Sequence, residues 1–369
     1  MSHPAKPYIC RLSDLSPEPV DWIWPGYLAA GKLTLIDGDP NQGKSLLALD
    51  LAGRLSSGRA LPDGFVPPGP QDVALLDGED GTRDTVIPRL LAAGANLGRI
   101  HLLGIDPMDG SPPRAPYIPD DCGLLAEMLQ ATSARLLIAD PLFSFLSRDS
   151  SPLNAAAIHR ALKPLAREAE KTRSAVLMSR HLTKRVGMRA LYRGNGSMAL
   201  IGQARTAFLV ARSPEDPTLN VLACIKSNRA APAAMGYRIK PVDRDRAILD
   251  WTGPVQVTAD DLVLASQRSL GESLRQAIAF LEELLRAGRV PSDDVYRQAR
   301  AAGISDRTLK RAKAELAIGS QKVTCDDRTT WYWTPPNDPL SLSPEEAHRQ
   351  LLEEFWKGEE APQPNGETG

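Results

Sequence analysis

Three short stretches of this 369-residue chain combine residue types that handle phosphate. The first is Gly38-Asp39-Pro40-Asn41-Gln42-Gly43-Lys44-Ser45, followed by Leu46. Before it, Lys32 to Ile36 reads as a buried strand. After it, Ser45 to Ala52 has helical spacing and good helix formers. Strand, glycine-rich turn and helix is the order in which backbone N–H groups and a helix N-terminus wrap a polyphosphate. Gly38 and Gly43 allow torsions and close approach that a Cβ would block. In that setting Lys44 reaches the β- and γ-phosphates and the Ser45 hydroxyl ligates Mg²⁺. The stretch predicts binding of a nucleoside triphosphate with Mg²⁺.

The other two stretches close strands. Leu136-Leu-Ile-Ala-Asp140-Pro141 is an apolar run ending in an acid, the pattern in which Asp140 holds Mg²⁺. Leu177-Met-Ser-Arg-His181 ends in a side chain that can both donate and accept hydrogen bonds, so His181 is a candidate γ-phosphate sensor. A structural histidine is the alternative. A further strand ends Leu76-Asp77-Gly78-Glu79-Asp80. A carboxylate just past a strand beside the phosphate loop can orient the attacking water. Glu79 is the candidate, with Asp77 and Asp80 as competitors.

Cations follow. Lys184, Arg185, Arg189 and Arg193 lie in a glycine-containing segment without an acid, which reads either as a loop tracking single-stranded DNA or as a solvated basic loop. Arg205 closes a helix and Lys226 a strand. Each can act on a neighbour's γ-phosphate as a catalytic cation or be a plain surface charge. Near the C-terminus, Ser305 caps a helix with Leu309, Ala312 and Leu316 on one face and Arg307, Lys310 and Arg311 on the other. From 269 to 335 there are eleven Lys/Arg and nine Asp/Glu, so duplex DNA and a protein partner both remain open for this unit.

The elements that must position these residues alternate. Strand-like runs at 32–36, 73–77, 100–103, 135–139, 175–179, 206–211 and 219–225 interleave with helical runs at 44–56, 84–94, 120–132, 154–171 and 197–204. That order predicts an α/β fold with a largely parallel twisted sheet covered on both faces. Residues 272–287, 293–301 and 305–316 read as helices before an aromatic strand ending at Trp333, the order of a small α+β winged helix-turn-helix. The expected division is a lead-in at 1–30, an α/β domain at 31–252, a linker at 253–268, the winged unit at 269–335 and a partly disordered tail at 336–369. A net charge of −1 excludes a globally basic protein. Four scattered cysteines, no apolar run near eighteen residues and no signal peptide predict a cytoplasmic protein without a membrane span.

Taken in order, Trp24-Pro-Gly-Tyr-Leu to Lys44-Ser45, Leu-Leu-Asp-Gly-Glu79, Leu-Leu-Ile-Ala-Asp140 and Ser-Arg-His181 resemble the RecA-like P-loop ATPases related to the plasmid replicative helicase RepA. The resemblance spans about residues 20–250. It implies a RecA core that binds ATP and Mg²⁺ and assembles as a homo-oligomeric ring, Glu79 as catalytic carboxylate, His181 as sensor, and Arg205 or the Lys226/Asn228 pair acting between subunits. The C-terminal segment is similar to winged-helix tails of phage and mobile-element relatives. The expected function is an ATP-dependent, DNA-acting motor, a replicative or mobile-element helicase. The alternative is a nucleotide-switched DNA-binding regulator or loader that unwinds nothing.

Overall fold

The computed structural model describes residues 9–78, 81–150, 154–182, 198–244, 246–286, 288–325 and 328–335. By contacts the chain divides into Met1–Ala265 and Ser266–Gly369. The first unit opens with β1 (Trp22–Trp24), β2 (Leu28–Ala29), β3 (Leu33–Gly38), α1 (Lys44–Ser57), β4 (Val73–Asp77), α2 (Ile87–Ala92), β5 (Ile100–Leu102) and α3 (Cys122–Thr132). It continues with β6 (Leu136–Asp140), α4 (Ala155–Thr172), β7 (Ala175–His181), α5 (Ala199–Gln203), β8 (Thr206–Arg212), β9 (Asn220–Ser227), β10 (Ala234–Pro241) and β11 (Ala247–Val255). The long helix α6 (Ala259–Leu284) follows.

Nine of these strands form one sheet in the order β11-β10-β9-β8-β3-β7-β6-β4-β5. From β8 to β5 every pairing is parallel. From β8 to β11 every pairing is antiparallel. The sheet is thus mixed and mostly parallel. Strand alternation feeds two cores: Ile36 faces Leu47, Leu51 and Leu55 of α1, whereas Leu33 and Leu35 belong with Leu125, Leu162 and Leu165 of α3 and α4. β3 is buried on both faces, as its unbroken apolar and threonine run requires. The lead-in is largely structural. Trp24 is buried and stacks on Tyr27 with ring centroids 3.9 Å apart, and Tyr27 stacks in turn on Phe208.

Residues 253–268, expected as a linker, are the end of β11 and the first turns of α6. Thr258 and Asp261 exchange hydrogen bonds in a reciprocal cap, and Ala259, Leu262 and Val263 bury against Leu209, Val221 and Ala223. An acidic-apolar stretch after Gly-Pro reads as a break in sequence, yet its apolar residues fall at helical spacing.

In the second unit the rest of α6 is followed by β12 (Val290–Pro291), α7 (Ser292–Ala301), α8 (Asp306–Glu315), β13 (Gly319–Cys325) and β14 (Arg328–Thr334). Its antiparallel sheet has the order β12-β14-β13. Ala277, Leu281, Val295, Leu309, Ala312 and Trp333 form its core. Gly303, at φ +74°, makes the turn before α8, and the Ser305 hydroxyl accepts from the Thr308 N–H at 3.2 Å. Arg307, Lys310 and Arg311 lie exposed on the face opposite Leu309 and Ala312. Among the described residues no helix is long and apolar enough to cross a membrane.

Candidate nucleotide-binding site

β3 ends in Gly38, and the chain turns through Asp39, Pro40, Asn41 and Gln42 into α1. Two left-handed residues shape the turn, Asn41 at φ +62° and Gly43 at φ +81°. A Cβ on Gly38 would stand 2.8 Å from the Val210 carbonyl oxygen, and one on Gly43 would stand 2.9 Å from Cδ1 of Ile239. Gly38 is required by the β8 backbone beside it and Gly43 by its left-handed torsion, and the Gly43 position opens on Ile239 at the cleft wall. The buried Tyr237 hydroxyl donates to the Gln42 carbonyl at 2.7 Å and holds the loop from β10. Burial pushes the Tyr237 phenol well above its ordinary value, so it remains a donor.

Lys44, the first residue of α1, is buried. Its ammonium donates to the carbonyls of Gly38 at 3.0 Å and Asp39 at 2.9 Å, and approaches Nδ1 of His181 at 3.3 Å. An ammonium can only donate, so Nδ1 accepts and Nε2 carries the imidazole hydrogen. Parallel pairing of β3 with β7 makes Gly38 and His181 register partners, which explains the meeting. On the next strand, Asp140 accepts a hydrogen bond from the Ser179 hydroxyl.

Beneath the loop lies an ion pair without solvent access. Arg180 donates from Nε and Nη2 to the two Asp37 oxygens at 2.8 and 2.6 Å, with side chains 1% and 0% exposed. Burial raises the Asp37 carboxyl above its ordinary value, and the Arg180 fork opposes that rise. Asp37 directly precedes the loop and Arg180 directly precedes His181, so the pair ties the two strand ends that carry Lys44's partners.

A cleft of about 500 Å³ opens over this arrangement, lined by Lys44, Ser45, Asp140, His181, Arg89 and Ile239 among others. Its size suits a nucleotide-sized ligand. Ser45 and Asp140 present oxygen donors on one cleft, and among the described residues no three His, Cys, Asp or Glu form a metal cluster. Few protein ligands, with the rest supplied by phosphate and water, is how Mg²⁺ is held. The residues present fit ATP and Mg²⁺.

Of the residues marked in the sequence, the structure brings together the loop from Gly38 to Leu46, Asp140 and His181. Asp77 is the register partner of Asp140, so β4 ends at the same edge, but Glu79 lies outside the described residues. So do Lys184, Arg185, Arg189 and Arg193. Arg205 and Lys226 are not in the cleft. The Arg205 N–H donates to the Leu33 carbonyl at the start of β3, the opposite end of the strand from the loop. Five steps at about 3.3 Å place them about 17 Å apart along β3. Lys226 donates to the carbonyls of Ile201, Gly202 and Ala204 and so closes the C-terminus of α5. Burial lowers its ammonium pKa, and the charge of Arg205 lowers it further.

Sequence reasoning missed Arg89, Tyr237 and Ile239. β10 and β11 went unread because Arg238, Lys240 and Asp250 interrupt their apolar pattern. The alternation of Met235, Tyr237 and Ile239 was the available signal.

Residues 6–187 match the model of a family described as "AAA domain". The matched stretch runs from the lead-in past β7 and includes the loop, Asp140 and His181. No curated protein matches the chain in sequence. Among solved structures, the chain is similar to a KaiC-like protein from the hyperthermophilic archaeon Pyrococcus horikoshii OT3, at 11% identity and a TM-score of 0.43. That match covers 63% of this chain and 100% of the archaeal one.

Proposed function

We propose that this protein is a P-loop ATPase and a DNA-acting motor of the RepA-related replicative or mobile-element helicase kind, hydrolysing ATP at boundaries between copies. The observation that carries the ATP reading is the convergence of Lys44, Ser45, Asp140 and His181 on one cleft. Bound ATP would supply the terminal phosphoryl group, with Mg²⁺ offsetting its charge. Lys44 exchanges the Gly38 and Asp39 carbonyls for phosphate oxygens, Ser45 and Asp140 hold the cation, and Glu79 orients the attacking water. His181, already in contact with Lys44, registers the terminal phosphate. Arg205 and Lys226 stand too far from their own loop to reach it, which favours action in a neighbour's site within a homo-oligomeric ring.

The second unit supports the DNA part of the reading. Its helix-strand-helix-helix-strand-strand order is that of a winged helix, and α8 exposes Arg307, Lys310 and Arg311 where such a fold presents a helix to a major groove. Lys184, Arg185, Arg189 and Arg193 complete the reading as the single-strand contact.

Two assays on one preparation test this. Wild type should displace a strand from a forked duplex only with Mg·ATP. Glu79→Gln should keep nucleotide affinity yet lose both displacement and turnover by about 10²-fold or more, because an amide cannot take the water's proton. ATP turnover without strand displacement would reduce the protein to a nucleotide-switched regulator. Equal turnover in Glu79→Gln would remove the carboxylate role.

A further inference from the structure

At the N-terminal end of β3, away from the nucleotide cleft, a depression of about 350 Å³ is lined by four cations, Lys32, Lys163, Arg167 and Arg205, against one carboxylate, Glu170. Glu170 is already taken by Lys32 at 2.6 Å. Glu168, the other acid of this part of α4, is buried and engaged by Arg167 and Lys171. Among the described residues, Lys163 and Arg205 have no acidic partner. Lys226 donates to the carbonyls of Gly202 and Ala204, two of the lining residues.

A second depression of about 480 Å³ adjoins the first. Lys163 and Arg167 line both, joined here by Arg160, His159 and Pro164, with no carboxylate. Arg160, Lys163 and Arg167 recur every three or four residues and are exposed on one face of α4. They run about 10 Å along the helix, longer than one phosphate group and suited to successive phosphates of a chain. In a protein of net charge −1, this track is a local concentration of positive charge rather than a consequence of composition.

We propose that this track on α4, Arg160, Lys163 and Arg167, is a nucleic-acid contact surface that holds the phosphate backbone without reading bases. It rests on the DNA reading above, but it lies at the sheet end opposite the strand from which the 183–197 segment departs. A strand held there is positioned by charge alone, so its affinity falls steeply with salt.

The test is equilibrium binding of a fluorescent oligo(dT) strand to the full chain across a salt series. Arg160→Gln with Lys163→Gln should lower affinity about tenfold at low salt and reduce the salt slope by about 1.4, at about 0.7 per lost phosphate contact. Lys163→Glu should weaken binding further. Both side chains are exposed and outside the nucleotide cleft, so DNA-free ATP turnover and the thermal midpoint should not change. Unchanged affinity and slope in the double variant would overturn the surface while leaving the motor reading intact. Lost turnover with intact strand binding would also overturn it, and would assign the face to contact between copies. Failure of wild type to bind any strand would overturn the surface and the DNA reading together.

Discussion

Lys44→Ala should reduce ATP turnover by about 10³-fold and weaken Mg·ATP binding severely. The ammonium is the cation that the loop itself brings to the phosphates, and its buried setting makes each charge-assisted contact stronger than it would be in water. Removing it also leaves the Gly38 and Asp39 carbonyls without a donor they now share. Lys44→Arg should rescue little. A planar guanidinium cannot reproduce a compact ammonium that meets two carbonyls and a ring nitrogen at once. Phosphate release and nucleotide titration on the same variants check this. Turnover within a factor of about three of wild type would remove the loop from the chemistry.

The second large effect concerns stability. Arg180→Met alone should cost about 3–5 kcal/mol in urea unfolding, because it leaves the fully desolvated Asp37 carboxylate without the guanidinium fork that holds it. The double variant Asp37→Val with Arg180→Met should regain most of that loss, since an apolar pair of comparable volume replaces an ion pair whose desolvation is expensive. Activity separates packing from positioning. If the pair also fixes the loop against the end of β7, the refolded double variant should turn over ATP about tenfold more slowly than wild type. Full activity in a stable double variant would make the pair purely structural. An Arg180→Met variant costing under about 1 kcal/mol would contradict the pair's burial.

The phosphate loop, Asp140 and His181 were legible because each sits on a local signal: a glycine-bracketed turn, or a polar residue closing an apolar strand. Parallel register then brings those strand ends together without further information. Of the seven strands read from sequence, β3, β4, β6 and β7 are buried apolar runs at the sheet's centre, and β5 was read at its edge from the short apolar segment after α2. β10 and β11 escaped because they lie at the sheet margin, where alternating charged residues face solvent and blur the period. With them went Tyr237 and Ile239, which touch the loop from about 195 residues away in sequence. Arg89 escaped for a different reason. A lone cation in a short helix resembles any solvated charge until the fold turns it toward the cleft. The Asp37–Arg180 pair is likewise invisible locally, since neither residue signals that the other is its register partner.

The most direct test of the central claim is the structure of the full chain with Mg²⁺ and a non-hydrolysable ATP analogue. The account predicts the triphosphate wrapped by residues 38–46, with Lys44 moved off the Gly38 and Asp39 carbonyls onto phosphate oxygens and the cation between Ser45 and Asp140. His181 should then lie at the terminal phosphate. Nucleotide bound elsewhere, with Lys44 still held by those two carbonyls, would contradict it.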